Sequence, residues 1–480
     1  MTSDPVTSDN RYTVWAYLLA GVFASAIAYD LLRMPVQVYD SLNEILEASR
    51  QASVVQAFTA SFEGKAYMRP LRIAQIKALF DVSHGHYWLA YRGFHVLLLG
   101  LCVWLFTRAL RVRSATDLVA AAAALTVLTG MTTFKGTVQE AFPINHFLEM
   151  AVASLVAFNL ARSRGGWWVD AGTAAVFMAA VLTLESGILV WVVVAAARAA
   201  GFTGISNRGV VAVTLLLVGY LAIRFVWLDV GTPGLMERSS GYWLSVLEPE
   251  ELERRFGSWP YGFYAYNVAS SVSSVLFAEP QSGVFVAVRA WLQDEVRPRL
   301  VIAFLSAVPT TALIVWAIAR LGRRAGDARS AGDDTSRGVI FVAAAVIVAS
   351  AVLSYAYTKD EIMSTAGVFY ALAAFHAFRT AIAYSPAAPR LLAGVLIGTM
   401  AITNSGWAIR SAGLHHVLRL QAYRQRGDWA LLPSRLAAEG KPFEVAPGAS
   451  IVRSLRTQAL VLPAPNPEVR SDWPENLWGD

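Results

Sequence analysis

The sequence predicts an all-α polytopic membrane protein, and three observations point there. Of 480 residues, 56% are hydrophobic and only 15% are charged, whereas a soluble domain carries about a quarter charged residues. Apolar runs of roughly 16–22 residues, the length that crosses a bilayer, recur down the chain. The arginines gather in the short connections between alternate runs.

Eleven spans are expected, near 14–32, 88–107, 117–134, 146–161, 167–184, 186–200, 209–228, 300–320, 338–356, 365–382 and 391–407. The first follows a polar start, MTSDPVTSDNRYT, with no A-x-A-like cleavage site, so it reads as a retained span rather than a signal peptide. With the N-terminus cytoplasmic, the inner connections hold fifteen arginines, from Arg11 through Arg108, Arg162, Arg198 and Arg320 to Arg390. The short outer ones contribute Lys135 and Lys359. The positive-inside rule then fixes the orientation. It also explains the net charge of +6 as topology, so no nucleic-acid partner is implied. The single cysteine, Cys102, lies within an apolar run, which excludes disulfides and cysteine–metal sites.

Residues 1–407 form a transmembrane domain in this reading, with long outer loops at 33–87 and 229–299. Residues 408–480 form a small extracytoplasmic C-terminal segment, a cap on the outer face. The connector RLGRRAGDARSAGDDTSRG, 320–338, is rich in Gly, Arg and Asp and reads as a flexible cytoplasmic link. In the first loop, Leu42, Ile45 and Leu46, then Val55, Phe58 and Phe62, keep helical spacing, with Asn43, Glu44, Glu47 and Arg50 between them. A second short helix carries Ile73, Ile76 and Phe80. Both are expected to lie on the membrane surface as amphipathic helices. The loop 229–299 crowds Trp243, Trp259, Tyr261, Phe263, Tyr264 and Tyr266 together, which suits the headgroup level.

Asp40 stands about eight residues past the first span. By position it is either an N-cap for SLNEILEA or a carboxylate placed at the lipid–water boundary for chemistry. The surrounding sequence bears on the choice. VYDSLNEILEASRQASVVQAFTASF, followed by YMRPLRIAQIKALFDVSHGHYWLAYRGFHVLLLGLCVWLFTRAL, resembles the start of GT-C superfamily glycosyltransferases. It looks most like the branch of the protein O-mannosyltransferases and the transmembrane O-mannosyltransferases with TPR repeats. In those families the first outer loop opens with an acidic residue, runs through an amphipathic stretch to a YRPL-like motif, and leads to a span beginning with H-x-x-N-like residues. Here the acid is Asp40, the motif is YMRPL (Tyr67 to Leu71), and His95 and Leu99 occupy the later pattern. FKGTVQEAFPINHFLEM (134–150) and LTLESGILVWVVV (182–194) are similar to the family's second outer loop and its KE-[SG] segment. The likeness covers roughly 14–200. Many relatives pair two acids in the first loop, whereas Asp40 is followed by Ser41.

The resemblance implies transfer of a hexose or pentose from a polyprenyl-phosphate donor on the outer face. Asp40 would be the base that takes the acceptor's proton, with Glu140 orienting the acceptor or the base. The leaving group is a phosphate, so fixed positive charge is expected near it. Arg69 is the first candidate and Lys359 the second; for both, snorkelling at the interface is the alternative. Arg224, inside the seventh run, is either a functional intramembrane charge or a snorkelling one. Glu185 either caps the sixth span or faces the substrate. His146 either hydrogen-bonds in the site or serves the start of its helix. His84 and His86, in SHGH, give a weak metal pattern. His415 and His416 are discounted as pointing to different helix faces.

No phosphate loop, H-E-x-x-H, G-x-S-x-G or D-x-D motif is present. A lipid-linked donor demands no resident cofactor, though a divalent cation stays open. The expected partners are membrane lipids, the polyprenyl-phosphate sugar, and an acceptor glycan, lipid or protein. The expected place is the bacterial cytoplasmic membrane, with the active site facing the periplasm or exterior, in cell-envelope glycan synthesis. The competing readings are a non-catalytic polyprenyl-lipid flippase or transport subunit, and an O-antigen polymerase or ligase.

Overall fold

The computed structural model describes residues 6–38, 40–62, 68–139, 143–229, 247–257, 260–277, 284–323, 331–356, 358, 360–438 and 448–463. Among them every regular element is a helix. In chain order these are α1 (Val6–Leu31), α2 (Asp40–Arg50), α3 (Val54–Thr59), α4 (Pro70–Ser83) and α5 (Tyr87–Leu110). There follow α6 (Ala115–Gly130), α7 (Thr132–Gln139), α8 (His146–Ala161), α9 (Trp167–Thr183), α10 (Ile188–Ala199) and α11 (Asn207–Ala222). The second half holds α12 (Pro249–Phe256), α13 (Tyr261–Phe277), α14 (Val284–Leu292), α15 (Pro298–Arg323), α16 (Ala331–Leu353), α17 (Ser364–Tyr384), α18 (Arg390–Ala438) and α19 (Ala449–Val461).

Seven helices are long and apolar enough to cross a membrane, and an eighth span forms if α6 and α7, bent by 58° at Met131, count as one. This is the make-up of a multi-pass membrane protein. The expected runs are largely helical, but 117–134 breaks at Met131, and α8, α9 and α10 have only 16, 17 and 12 residues. At 1.5 Å per residue α8 and α9 each cover about 25 Å and α10 about 18 Å, short of the ~30 Å hydrocarbon core. α17 is the centre of the bundle. It is buried along nearly its whole length and packed against α6, α8, α15 and α16. Ala366, Gly367, Ala371, Ala374 and Ala377 let those neighbours approach closely, the usual device where lipid offers no hydrophobic drive between helices.

Contacts between connections sort the bundle into two ends. At one end Arg379 pairs with Asp117 at 2.8 Å, Asp170 accepts from Ser206, and Thr13 bonds the Val112 carbonyl at 2.7 Å. Arg162 and Arg111 bond backbone carbonyls of Ala109 and Arg162 there. At the other end lie α2–α4, the α9–α10 turn, and the C-terminal part of α18 with α19.

That second end has its own apolar core, separate from the bundle's. Val36, Val38, Leu42, Ile45, Ala48, Ile76, Tyr91, Trp429, Val452 and Leu455 form it. Three sequence expectations change here. The apolar run 42–62 is not one helix: α2 stops at Arg50, and Ser53 caps α3 by accepting from the Gln56 N–H at 3.1 Å. The tail does not begin as a separate unit at 408, because α18 runs unbroken for 49 residues, about 74 Å, from the bundle into the cap. Finally, α13, within the expected loop 229–299, packs on α15 and α16 through Asn267, Ser270, Ser271 and Ser274. Its Phe263 and Tyr264 join Leu247 and Leu252 in a small cluster. Trp243 and Trp259 lie outside the described residues.

Candidate functional site

Arg69 stands at the N-cap of α4, and Pro70 follows at the first helical position, where its missing N–H costs nothing. Its side chain crosses to the turn between α9 and α10. Arg69 Nε donates to both Glu185 oxygens at 3.0 Å, and Nη2 donates to Oε2 at 2.7 Å. Arg224 reaches the same carboxylate from α11, with Nη1 3.2 Å from Oε1, and also donates to the Tyr220 hydroxyl at 2.9 Å. Arg224 lies in a π-helical turn, Ile223–Trp227, that closes α11. Such turns are frequent at functional sites. The Arg224 side chain is almost wholly buried, so snorkelling is not its arrangement.

The α9–α10 turn is held tightly. A Cβ on Gly187 would fall 2.3 Å from the Ala180 carbonyl carbon, so only glycine fits beside that backbone. Glu185 is therefore presented from a fixed backbone.

One turn further along α4, Arg72 pairs with Glu44 of α2. His146, the first residue of α8, is buried with Nδ1 3.2 Å from Glu149 Oε2, and Gln75 of α4 hydrogen-bonds Glu149. The Asn145 side chain caps α8 by accepting from the Leu148 N–H at 3.0 Å, and it also contacts His95 Nε2 at 3.1 Å. Arg92 of α5, fully buried, donates to the Met34 and Pro35 carbonyls and so anchors the exit from α1.

Asp40 is the first helical residue of α2 and exposed. It is thus in the first turn rather than at the N-cap that position had suggested, and it sits one turn before Glu44. Burial pushes the Glu44 carboxyl above its ordinary value, with Arg72 opposing and Asp40 adding to the rise. Glu185 behaves the other way. Burial raises it, but the charge and hydrogen bonds of Arg69, and Arg224 behind it, outweigh burial and hold it below the ordinary carboxylate value.

The structure thus brings together Arg69, Glu185, Arg224 and His146, with Asp40 at the edge. Glu140 and Lys359 lie outside the described residues. The sequence reading missed Glu44, Arg72, Gln75 and Glu149. A signal existed for Arg72: it lies three residues after Arg69, in the first turn of a helix that Pro70 announces. It also missed Asp30, a carboxylate in the last turn of α1. Asp30 Oδ2 lies 2.7 Å from His415 Nδ1, and Asp30 Oδ1 accepts from Arg419 Nε at 3.1 Å. His415 is therefore not idle; it ties α1 to α18.

Arg69, Arg72 and Arg224 gather at this site with the carboxylates Glu44, Glu149 and Glu185, and the N-termini of α4, α8 and α10 lie close by, each contributing positive dipole potential. His146 Nε2, Arg224 Nε and one Glu44 oxygen are buried among the described residues without a hydrogen-bond partner. Buried polar atoms left so are costly. Among the described residues no three His, Cys, Asp or Glu side chains gather as a metal-binding set. No family model, curated protein or solved structure matches the chain.

Proposed function

We propose that the chain is an integral membrane glycosyltransferase of GT-C type. It moves a hexose or pentose from a polyprenyl-phosphate donor to an acceptor hydroxyl on the outer face of the bacterial cytoplasmic membrane. One observation carries the reading: Arg69, Arg72 and Arg224 converge at one end of the bundle, and Glu44, the partner of Arg72, lies one turn after the exposed carboxylate Asp40. That end is opposite the short connections that hold Arg108, Arg111, Arg113, Arg162 and Arg164, which supports placing it outside. With α8, α9 and α10 counted beside the seven long helices and the bent pair α6–α7, eleven crossings result. The shorter ones would be accommodated by local thinning of the bilayer.

In this mechanism the Asp40 carboxylate accepts the proton of the acceptor hydroxyl as its oxygen attacks the anomeric carbon. The bond from that carbon to the phosphate oxygen breaks, and the phosphate leaves with the electron pair. The guanidinium groups stabilise the charge that develops there. Helices α2 and α4 wall the site at the depth of the headgroups, so a lipid-borne donor and a water-borne acceptor meet. A divalent cation is not needed for this sequence of steps.

Purified protein in nanodiscs, given a pool of polyprenyl-phosphate-linked sugars and cell-envelope acceptors, tests the proposal. Release of free polyprenyl phosphate with sugar appearing on an acceptor is the expected result. Donor crossing between leaflets without being consumed would instead establish a flippase.

A further inference from the structure

The Arg69–Glu185–Arg224 arrangement is more specific than a structural ion pair requires. Arg69 grips Glu185 with a two-nitrogen fork, the same geometry with which arginine takes a phosphate. The two guanidinium groups come from elements far apart in sequence, the start of α4 and the π-turn after α11. The carboxylate hangs from a turn whose backbone Gly187 pins against α9, so only the side chain can swing away. Beside it, Arg224 Nε and Ser186 Oγ are buried with no hydrogen-bond partner among the described residues. The fork and its neighbours therefore hold donors that Glu185 does not use. A phosphate, with more acceptor oxygens, would use them.

We propose that Glu185 is an internal place-holder anion, which occupies the Arg69–Arg224 fork and is displaced by the phosphate of an incoming lipid-linked donor. The inference rests on reading this site as a phosphate site. Glu185 then sets the affinity of the enzyme. Donor must compete with it, and its return to the fork helps expel the product phosphate. Because only the fraction with Glu185 swung out is competent to bind, apparent affinity falls by that fraction. The fork also holds the α4 end of the first-loop layer against α11, so displacement by donor couples phosphate binding to the wall of the site.

The test is titration of farnesyl phosphate, and separately of inorganic phosphate, into purified wild-type and Glu185→Gln protein by calorimetry. A thermal melt establishes that each is folded. Gln keeps the size of the side chain and one acceptor oxygen for Arg69 but removes the competing charge. The expected result is farnesyl phosphate binding about tenfold tighter in the variant, equivalent to about 1.4 kcal/mol. Glu185→Asp, which keeps the charge on a shorter arm, is expected to fall between the two. If Glu185→Gln does not fold, Glu185→Asp decides by the same criterion.

Tightening of both probes places the contacts in the phosphate itself. Tightening of farnesyl phosphate alone shows that the lipid chain is part of the ligand. Either result supports the place-holder. Equal or weaker farnesyl phosphate binding by folded variants, where the wild type binds, overturns the place-holder and leaves the phosphate site standing. Absence of binding to every form removes both.

Discussion

Arg69 reaches Glu185 through two nitrogens, so its replacement removes a geometry as well as a charge. Arg69→Ala is expected to raise KM for the lipid donor by tenfold or more. Arg69→Lys should recover only part, since an ammonium makes no fork. Steady-state kinetics against donor concentration, with the melting temperature as control, checks both. Glu185 adds a pH signature. Its carboxyl is held below its ordinary value in the folded protein. The stability it lends is therefore complete above the ordinary carboxylate range and is lost as pH falls through the depressed folded value. Melting curves of wild type and Glu185→Gln are expected to converge on acidification into that range; a gap that stays constant would refute the linkage. The individual residues Arg69, Glu185 and His146 were legible in the sequence as polar groups at span ends, and Arg224 as a charge inside the seventh run. Their partnership was not, because Arg69 and Glu185 are 116 positions apart and only tertiary packing joins them. Asp30 and His415 were hidden for the same reason: each looks inert alone, and each explains the other.

At the scale of elements, α18 is the surprise. Its apolar first half was readable as a span and its polar second half as a separate cap, because hydropathy changes sharply near residue 408. Propensity does not change there, so the helix continues. The extension carries Trp429, fully buried, whose indole N–H donates to the Val36 carbonyl at 2.6 Å. Gln458 of α19 accepts from the Trp88 N–H at 2.9 Å and donates to the Gly85 carbonyl at 2.6 Å. The cap thus clamps both ends of the first-loop layer. Trp429→Ala removes a large buried side chain, a change that costs about 3–5 kcal/mol in a core. Faster hydrogen exchange across residues 33–50 is expected, with the bundle helices unchanged. A uniform increase through α6 and α17 would mean instead that the cap and bundle unfold as one.

The whole molecule has two ends, one formed by the short connections around Arg162 and Arg379 and one holding Arg69, Glu185 and Arg224. The all-helical class and the positions of the apolar runs were legible because composition and run length fix them. The length of each helix was not, since a run of apolar residues does not reveal where caps such as Asn145 and turns such as Glu185–Gly187 cut it. Orientation is open to direct measurement, because Cys102, the sole cysteine, is buried and can be replaced. In a Cys102→Ser background, Ala52→Cys on the site's end and Arg164→Cys on the opposite end are both exposed positions. A membrane-impermeant maleimide is expected to label the first in intact spheroplasts and the second only after permeabilisation. The reverse pattern would put the site in the cytoplasm.

The central claim, that Asp40 is the base of an outer-face glycosyl transfer, meets its most direct test in Asp40→Asn. Asp40 is exposed and lies in the first turn of α2. Losing its charge there costs the helix about 0.3–1 kcal/mol of dipole interaction, too little to unfold the protein. Turnover is expected to fall by roughly 10²–10⁴, the contribution of a positioned acid–base group. Donor affinity should hold, because the proposed phosphate contacts are with Arg69, Arg72 and Arg224. A folded Asp40→Asn protein that transfers sugar at the wild-type rate would contradict the account.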